Sequence, residues 1–458
     1  MYKSIVRHQR DYFRTGQTLS LVFRKNQLIK LKRQLQNYEA ELLIALKKDL
    51  HKSETEAYLS EIGILYRHLD QMIKNLKKWT SPKKVGTPFF LQPAKSEILR
   101  EPYGVSLIIG PFNYPVLLVF DPLIGAIATG NTAVIGLSSS VPHTNRVIQE
   151  MLGETFEKKY VVSYISDKVS NEQILNEVFD KIFFTGSEKV GKIFAKQAAE
   201  NMTPITLELG GKSPAIVTKY SDIELAAQRL VWGKFLNAGQ TCVAPDYCLV
   251  DNQVKGQFLE EIRNVIVKQF GETPESSRDF GRLVSEASLK RLVKILEADQ
   301  DYIWLGGQYG LADRFLEPTV IIGDSADELQ CMSEELFGPI LPVLGYDKLA
   351  EAVNFVRKKP QPLAFYPFSN NKKEINWLIK QISCGGITVN DTILHLANDN
   401  LPFGGIGHSG MGTYHGYDSV EAFSHKKSVL RRSQLVNLPL NFPPYTESKN
   451  KLIRLFLR

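Results

Sequence analysis

The features that usually reveal a metal site or a disulfide framework are missing from this 458-residue chain. Its four cysteines are Cys242, Cys248, Cys331 and Cys384. No two of them form a Cys-x-x-Cys pair, and no cluster of histidines accompanies them. We therefore predict no metal ion and no disulfide scaffold, and a reducing, cytoplasmic location.

Long apolar runs and a strongly one-sided charge are missing as well. The basic N-terminus, residues 1–17, has no long apolar core and does not match a secretory signal. The most apolar stretch, residues 105–135, is interrupted by prolines, glycines and polar residues, which favours a buried βαβ unit over a membrane span. The net charge of +7 comes from bases interspersed with acids, so we expect no nucleic-acid partner.

What the chain does contain is typical of a globular enzyme with more than one domain, since 43% of the residues are hydrophobic and 23% charged. Amphipathic patterns predict helices over 26–49 and 55–79. Further on, short apolar segments alternate with helical patterns, which predicts a parallel, doubly wound sheet. The predicted strands are 105–109, 132–135, 160–165, 181–184 and 204–207.

Two short Gly-containing turns carry the most reactive side chains. Cys242 ends the segment Asn-Ala-Gly-Gln-Thr-Cys, and Glu208 opens Glu-Leu-Gly-Gly-Lys-Ser-Pro. A thiol nucleophile and a carboxylate base suit a reaction through a covalent thioester. We expect the turn to present the thiol and nearby amides to lower its pKa, and apolar neighbours to raise the pKa of Glu208. Alternatively, Cys242 is a small buried apolar residue and Glu208 pairs with Lys212.

Two further segments suit the binding of developing or permanent negative charge. Asn113, in Gly-Pro-Phe-Asn-Tyr-Pro, offers a neutral amide donor for an oxyanion, or else only forms a turn between prolines. Gly186 and Gly191 follow the strand 181–184 at the start of a predicted helix, where backbone amides can approach a pyrophosphate. Their spacing differs from the dinucleotide fingerprint, so a generic βα turn remains the alternative.

Together these segments resemble the aldehyde dehydrogenase family over nearly the whole chain, most closely its class-three and fatty aldehyde branch. The resemblance rests on Gln-Thr-Cys at Cys242, Glu-Leu-Gly-Gly-Lys at Glu208, Asn-Tyr-Pro at Asn113, Phe-Phe-Thr at 183–185 and Glu-Glu-Leu-Phe-Gly-Pro at 334–339. It implies a Cys242 nucleophile, a Glu208 base and an oxyanion hole formed by Asn113 and the Cys242 N–H. It also implies NAD or NADP as cofactor, bound by Thr185, Gly186, Ser187, Val190, Gly191, Glu335, Phe337 and Ser139.

One segment departs from the family. After the strand 132–135 the family usually has Lys-Pro-Ser-Glu, whose lysine and glutamate hold the adenosine ribose, and here residues 136–139 read Gly-Leu-Ser-Ser. Each lost hydrogen bond to a charged group is worth about 1.5–3 kcal/mol. We therefore predict weaker dinucleotide binding and tolerance of NADP. His395 and His415 are expected to be structural.

The resemblance completes the prediction of an α/β fold. A doubly wound parallel-sheet cofactor domain (1–80 and 103–209) is followed by a second α/β catalytic domain (210–402). A small β bridging element (81–102 and 411–440) is expected to serve oligomerisation, as a homodimer. The basic, apolar tail (441–458) is expected either to fray or pack, to contact an anionic membrane, or to cap a substrate tunnel.

The expected reaction is oxidation of apolar aldehydes, of medium or long chain or aromatic, to carboxylic acids. The apolar substrate class rests on the resemblance and on the apolar residues of 111–120. Two alternatives stay open. The thioester could pass to coenzyme A instead of water, although Glu208 speaks against that, or the chain could be a non-catalytic relative that has lost its cofactor.

Overall fold

The computed structural model describes residues 2–435 and 439–457. Residues 1, 436–438 and 458, with the parts of the predicted first domain, bridging element and tail that fall on them, lie outside the described residues. The helices are α1 (Tyr2–Arg14), α2 (Leu21–Asn37), α3 (Glu39–Leu50), α4 (Glu54–Ala57), α5 (Gly63–Thr80), α6 (Leu117–Thr129), α7 (Pro142–Thr155), α8 (Lys168–Ile174), α9 (Glu188–Glu200), α10 (Ile223–Phe235), α11 (Lys255–Phe270), α12 (Glu286–Ala298), α13 (Leu349–Arg357), α14 (Lys372–Gln381), α15 (Gly416–Ala422) and α16 (Glu447–Phe456).

The strands belong to two large sheets and two small ones. They are β1 (Lys83–Val85), β2 (Ala94–Pro102), β3 (Val105–Ile109), β4 (Thr132–Ser138), β5 (Val161–Ser166), β6 (Lys181–Thr185), β7 (Ile205–Glu208), β8 (Pro214–Val217), β9 (Tyr247–Asp251), β10 (Ile303–Leu305), β11 (Tyr309–Gly310), β12 (Phe315–Leu316), β13 (Thr319–Gly323), β14 (Ile340–Tyr346), β15 (Ala364–Phe368), β16 (Gly386–Ile387), β17 (Gly410–Met411) and β18 (Ser424–Arg432).

The first large sheet has the strand order β17-β7-β6-β3-β4-β5 and is parallel except for β17. Its central strand β3 is buried along its whole length, and every residue of α6 is buried too, including the single charged one, Asp121. A mostly apolar helix that is buried on all its faces belongs in a core. The predicted doubly wound sheet is therefore confirmed, and its strand-helix alternation is the one that the sequence indicated.

The second large sheet has the order β10-β13-β14-β9-β8-β15-β16, with β10 the antiparallel edge. The short turn 209–213 joins β7 of the first sheet to β8 of the second. The α/β fold with two parallel sheets is thereby confirmed, whereas the domain boundaries drawn from sequence stay a prediction. Glu208 is the last residue of β7 and directly precedes the turn that connects the two sheets.

The segment 81–102 leaves the first sheet and pairs with the end of the chain. Strands β1, β2 and β18 form a three-stranded antiparallel sheet, in which Glu97 lies opposite Val429. The paired strands lie in the two segments that the sequence assigned to a small β bridging element, whose boundaries and role stay a prediction. In residues 2–435 and 439–457 no helix has both the length and the apolar character needed to cross a bilayer.

The single helix predicted over 26–49 is wrong. The chain instead forms α2 and α3, which meet at Tyr38 (φ −99°, ψ 6°). Leucines at helical spacing continue on both sides of the break, because both helices bury a leucine stripe against the same core. The predicted helix over 55–79 is confirmed, because α4, a π-helical turn at Tyr58–Ile62 and α5 form one continuous helical run.

Candidate active site

Cys242 lies on the loop between α10 and β9, and the loop has an unusual backbone. Asn237, Ala238 and Gly239 all have positive φ, at 53°, 51° and 76°. Two features favour glycine at position 239. Its φ is positive, and a Cβ there would lie 2.3 Å from the carbonyl oxygen of Gly338. The left-handed run turns the chain sharply after α10, so that the half-buried Cys242 faces a cavity.

Side-chain amides hold this strained loop. Gln240 donates to the carbonyls of Asn237 (3.1 Å) and Arg282 (3.0 Å) and accepts from the N–H of Val284 (2.9 Å). The N–H of Asn237 donates to Oε1 of Glu56 at 2.9 Å. Positive φ at a residue such as Ala238 costs about 1–3 kcal/mol and persists only where surrounding contacts impose it. These hydrogen bonds supply such contacts.

Asn113, the predicted oxyanion donor, is buried beside this loop. Its Nδ2 donates to the carbonyl of Gln240 at 2.9 Å, and the hydroxyl of the next residue, Tyr114, lies 2.5 Å from Oγ1 of Thr241. The amide group of Asn113 carries a second N–H, which these hydrogen bonds leave available. The structure thus brings Asn113 to the residues that directly precede Cys242.

Glu208 is buried at the end of β7, and neither of its carboxylate oxygens has a hydrogen-bond partner among the described residues. Lys212 does not pair with it, since Lys212 Nζ instead lies 2.5 Å from Oδ2 of Asp246. Burial raises the pKa of Glu208 well above its usual value. Its Oε1 faces Gly404, where a Cβ would lie 3.1 Å away.

The thiol of Cys242 shares this environment with two carboxylates. Burial, followed by the charges of Glu335 and Glu208, raises the pKa of Cys242 to about 12, against a smaller opposite effect from the N–H groups of Cys242 and Val243. The prediction that local amides lower this pKa is therefore wrong for the protein without ligands. The two acids that come from elsewhere in the chain outweigh the amides.

Glu335 and Phe337 follow the loop after β13 and reach the same region. The carboxylate of Glu335 lies against Gly210, where a Cβ would be 2.3 Å from both of its oxygens. Burial and the charge of Asp246 raise the pKa of Glu335 to about 7. Phe337, with φ +47°, packs edge-on against Phe112 at 5.7 Å.

A cavity of about 390 Å³ opens at Cys242, which is within the range of about 300–1,000 Å³ that is usual for small-molecule sites. Its surface is mainly apolar. Besides Cys242 and the tyrosines, the titratable side chains among the described lining residues are Arg67 and His415. The apolar and aromatic lining includes Tyr58, Leu59, Ile64, Tyr114, Leu117, Leu118, Trp232, Leu236, Ile393, Leu396, Phe403 and Tyr414.

Comparison with known proteins agrees with this geometry. A model of the aldehyde dehydrogenase family matches residues 2–429. The chain belongs to the aldehyde dehydrogenase family. It is 44% identical over 447 residues to the 4,4'-diaponeurosporen-aldehyde dehydrogenase of Staphylococcus aureus (strain NCTC 8325 / PS 47), covering 98% of this chain and 97% of that one.

Two further relatives are informative. The dimeric NADP-preferring aldehyde dehydrogenase of Canis lupus familiaris is 38% identical over 442 residues, which cover 96% of this chain and 97% of that one. The solved structure of the substrate-bound state of Staphylococcus aureus AldH superposes with a TM-score of 0.98 at 43% identity, covering 100% of both chains. These relatives confirm the class-three and fatty aldehyde dehydrogenase resemblance.

As an aldehyde dehydrogenase the chain uses NAD or NADP. The carboxyl ends of the strands of the first sheet offer groups that suit the pyrophosphate of this cofactor. Thr185 lies opposite Glu208 in the register of β6 and β7, and its buried Oγ1 has no hydrogen-bond partner within the described ranges. Ser187 precedes α9 without capping it, which leaves the first N–H groups of α9 for an anion. Val190 and Gly191 form the first turns of that helix.

The adenosine end departs from the family. A Cβ at Gly136 would lie 2.7 Å from Ile109 Cδ1 and 2.9 Å from the Tyr164 hydroxyl, so these side chains fill the place where a longer side chain would start. Ser139 is exposed beyond β4, with its N–H on the carbonyl of Ser166. Ser139 is thus two strands away from Thr185 along the same edge.

Of the two histidines that were expected to be structural, His415 is buried and His395 is half-buried, and His68 is buried beside His415. His68, on α5, lies 2.8 Å from Oδ1 of Asp121 and 2.8 Å from Oδ1 of Asp399, and His415 Nε2 lies 3.2 Å from Oδ2 of Asp121. His395 contacts the Thr388 hydroxyl at 2.8 Å, and burial lowers its pKa to about 4. His68 was not singled out from the sequence.

Sequence reasoning also missed an ion pair behind Asn113. Lys52 and Glu61 are fully buried, with Nζ 2.6 Å from Oε1. Lys52 donates to the carbonyl of Asn113 at 2.8 Å, and Oε2 of Glu61 accepts from the N–H of Val116 at 2.8 Å. The only sequence signal was their spacing of nine residues, which is common in amphipathic helices and carries no specificity.

Proposed function

We propose that this aldehyde dehydrogenase oxidises apolar aldehydes to carboxylic acids with NAD or NADP, through a thiohemiacetal and a thioester on Cys242. The observation that carries the proposal is a buried carboxylate, Glu208, that lacks a hydrogen-bond partner in the described structure and whose charge acts on the thiol at the floor of an apolar cavity. An unpaired buried carboxylate is costly, which favours a chemical role for it.

In the first half-reaction the Cys242 thiol releases its proton to solvent water, and the resulting thiolate attacks the carbonyl carbon, so that the π electrons of the carbon-oxygen double bond move to the oxygen and form an oxyanion. The free N–H of the Asn113 amide and the Cys242 backbone N–H stabilise that charge. The chemistry that NAD or NADP supplies when bound is acceptance of the hydride that leaves the thiohemiacetal carbon. The carbonyl then re-forms as a thioester.

In the second half-reaction Glu208 takes a proton from a water molecule, whose oxygen attacks the thioester carbon. The carbon-sulfur bond breaks, the acid leaves and Cys242 regains its thiolate. Because burial raises the pKa of Glu208, its carboxylate is a stronger base than an exposed glutamate. An acceptor other than water, such as coenzyme A, would have no need of this base.

Two variants test the assignments. Cys242→Ala should abolish both NADH formation and cofactor-free ester hydrolysis, with Cys384→Ala as the matched control. Glu208→Gln should retain a first turnover of NADH and lose steady-state turnover by about 10²–10⁴-fold. Equal steady-state rates in Glu208→Gln and wild type would remove Glu208 from the mechanism. Release of acid without added coenzyme A separates hydrolysis from acyl transfer.

The apolar substrate class follows from the lining of the cavity, to which Leu117 and Leu118 of α6 contribute. The staphylococcal relative is named for an aldehyde of diaponeurosporene, an observation that points in the same direction. Each additional buried methylene contributes about 0.8 kcal/mol. In a series of straight-chain aldehydes kcat/KM should therefore rise roughly fourfold per carbon until the cavity is filled. A preference for short, charged aldehydes would contradict the proposal.

For the cofactor we propose binding weaker than is usual in the family, with NADP tolerated. The support is the neutral segment 136–139 and the packing of Tyr164 at Gly136. Fluorescence titration with NADH and with NADPH measures both affinities. Submicromolar binding of NADH without binding of NADPH would contradict the proposal.

We further propose a homodimer formed through β1, β2 and β18, in a cytoplasmic enzyme. Most side chains of β1 and β18 are exposed in the single chain, and the canine relative is named dimeric. Light scattering coupled to gel filtration should give twice the chain mass of 51.7 kDa. A single-chain mass at micromolar concentration would exclude this interface as a stable one.

The role of the tail stays a prediction. Helix α16 carries Lys449, Lys451 and Arg454, while Leu455 is 73% exposed. Leu440 and Ile453 share a shallow groove with Phe89 and Phe90 of the bridging segment. Deleting the residues after Tyr445 should lower sedimentation with acidic liposomes if the tail contacts a membrane, and unchanged partitioning would exclude that contact.

A further inference from the structure

The buried pair of Lys52 and Glu61 encloses the segment that carries Asn113. Lys52 stands just after α3 and Glu61 in the π-helical turn before α5, so neither belongs to the two sheets. Both side chains have no exposed surface, and the distance between Nζ and Oε1 is 2.6 Å. A buried ion pair adds little net stability over a packed apolar pair, which favours a role beyond stability for this one.

Lys52 Nζ makes two hydrogen bonds and one contact with an aromatic ring. Besides the bond to Glu61, Nζ donates to the carbonyl of Asn113 at 2.8 Å and lies 4.0 Å from the centre of the Tyr114 ring. An ammonium group has three donors and no acceptor. Lys52 is not among the residues that line the aldehyde cavity, so it touches the peptide of Asn113 and not the reacting atoms.

Glu61 holds the other end of the same segment. Its Oε2 accepts from the backbone N–H of Val116 at 2.8 Å and of Leu117 at 3.3 Å, at the start of α6. A carboxylate is well placed at a helix N-terminus, where N–H groups lack helical partners. The ion pair therefore fixes the chain on both sides of residues 114 and 115.

The carbonyl of Asn113 also ties this segment to the cysteine loop, because it accepts from Nδ2 of Asn237 at 2.8 Å. Its side chain donates to the carbonyl of Gln240. The direction of the remaining N–H of Asn113 depends on the orientation of its peptide, which Lys52 holds. Displacements of about 1 Å in a catalytic geometry can cost 10²-fold in rate.

We infer that Lys52 and Glu61 are positioning residues for the oxyanion donor, acting on the reaction through Asn113. The inference rests on the proposed function, in which Asn113 stabilises the oxyanion. If this is so, the ion pair affects the rate of the chemical step only when residue 113 carries its side-chain amide.

A double-mutant cycle tests that dependence. The double substitution Lys52→Met and Glu61→Gln removes both charges together and leaves neither ion unpaired, and Asn113→Ala removes the donor. Lys181→Met is the matched control, since Lys181 is also a buried lysine but donates to Thr206 at the opposite edge of the first sheet. The readouts are the rate of NADH formation in the first turnover, cofactor-free ester hydrolysis and the Kd of NADH.

Asn113→Ala should slow the first turnover by about 10²–10³-fold, and the charge-removing pair by about 10–100-fold. Adding the Lys52→Met and Glu61→Gln substitutions to Asn113→Ala should slow the first turnover by less than about threefold more, because the effects of coupled residues do not add. The Kd of NADH should stay within about twofold throughout, and Lys181→Met should match wild type.

Two results would overturn the inference in distinguishable ways. If the effects multiply, Asn113 keeps its role and the ion pair has only a structural one. If Asn113→Ala itself runs at the wild-type rate, the oxyanion assignment fails, and the positioning role fails with it. Should the double substitution not fold, Glu61→Gln alone, which keeps an acceptor for Val116, must show the same dependence on Asn113 at smaller amplitude.

Discussion

His68 offers the sharpest test of the electrostatics that surround the aldehyde cavity. It joins α5 to Asp121 on α6 and to Asp399 in the loop after β16, and His415 of the cavity lining contacts the same Asp121. Burial disfavours the charge on His68, but Asp121 and Asp399 outweigh it and raise the pKa of His68 to about 10. At neutral pH the buried imidazole is therefore charged.

The effect on stability follows from that shift. The pKa of His68 rises from 6.5 to about 10 on folding. At pH 7 only the part of this rise above pH 7 counts, about three pH units at about 1.4 kcal/mol each, so it adds about 4 kcal/mol to the free energy of unfolding. Removing one partner from a buried ion pair independently costs about 3–5 kcal/mol. Because the folded pKa is the higher one, this contribution is complete below about pH 6.5 and disappears as the pH rises through about 10.

We predict that His68→Gln lowers the free energy of unfolding by about 4 kcal/mol at pH 7 and by less than about 1 kcal/mol at pH 10.5. Urea unfolding followed by tryptophan fluorescence measures the wild type and the variant at each pH, so that other titrating groups cancel in the difference. His8→Gln, on the exposed face of α1, is the control. An equal difference at both pH values, or one below about 1 kcal/mol at pH 7, would refute the reasoning.

Three further outcomes are expected. Gly239→Ala should destabilise the enzyme by more than about 1 kcal/mol in thermal unfolding, because of its positive φ and its contact with Gly338. Thioester hydrolysis in single turnovers should accelerate with rising pH, because burial raises the pKa of Glu208 well above its usual value and the base must be deprotonated to act; a flat profile would contradict this. Gly136→Lys should lower the midpoint of thermal unfolding without tightening NADH binding, since Tyr164 fills the space.

The sequence was sufficient for the first sheet and for the proposed reacting groups. Apolar strands alternating with helices leave few topologies open, and strand ends bring Thr185 and Glu208 to one edge whatever the details of packing. The motifs at Asn113 and Cys242 then converge on the loop between α10 and β9. For these features local pattern and global fold agree.

The rest depends on contacts that have no local signature. Lys52 and Glu61 bind backbone groups of residues 113 and 116, and any sequence offers such groups. His68 and Asp399 meet across more than three hundred residues. The expected pKa of Cys242 was wrong for the same reason, because only neighbouring amides were weighed, while burial and two distant carboxylates dominate.

Mass spectrometry of the intact Glu208→Gln variant, mixed with an alkanal and NAD and quenched within one turnover, tests the central claim most directly. The account predicts a protein heavier by one acyl group, with the added mass on the peptide that contains Cys242. The same experiment without cofactor should give no stable adduct. NADH formation by this variant without any acyl mass on Cys242 would contradict covalent catalysis by this thiol.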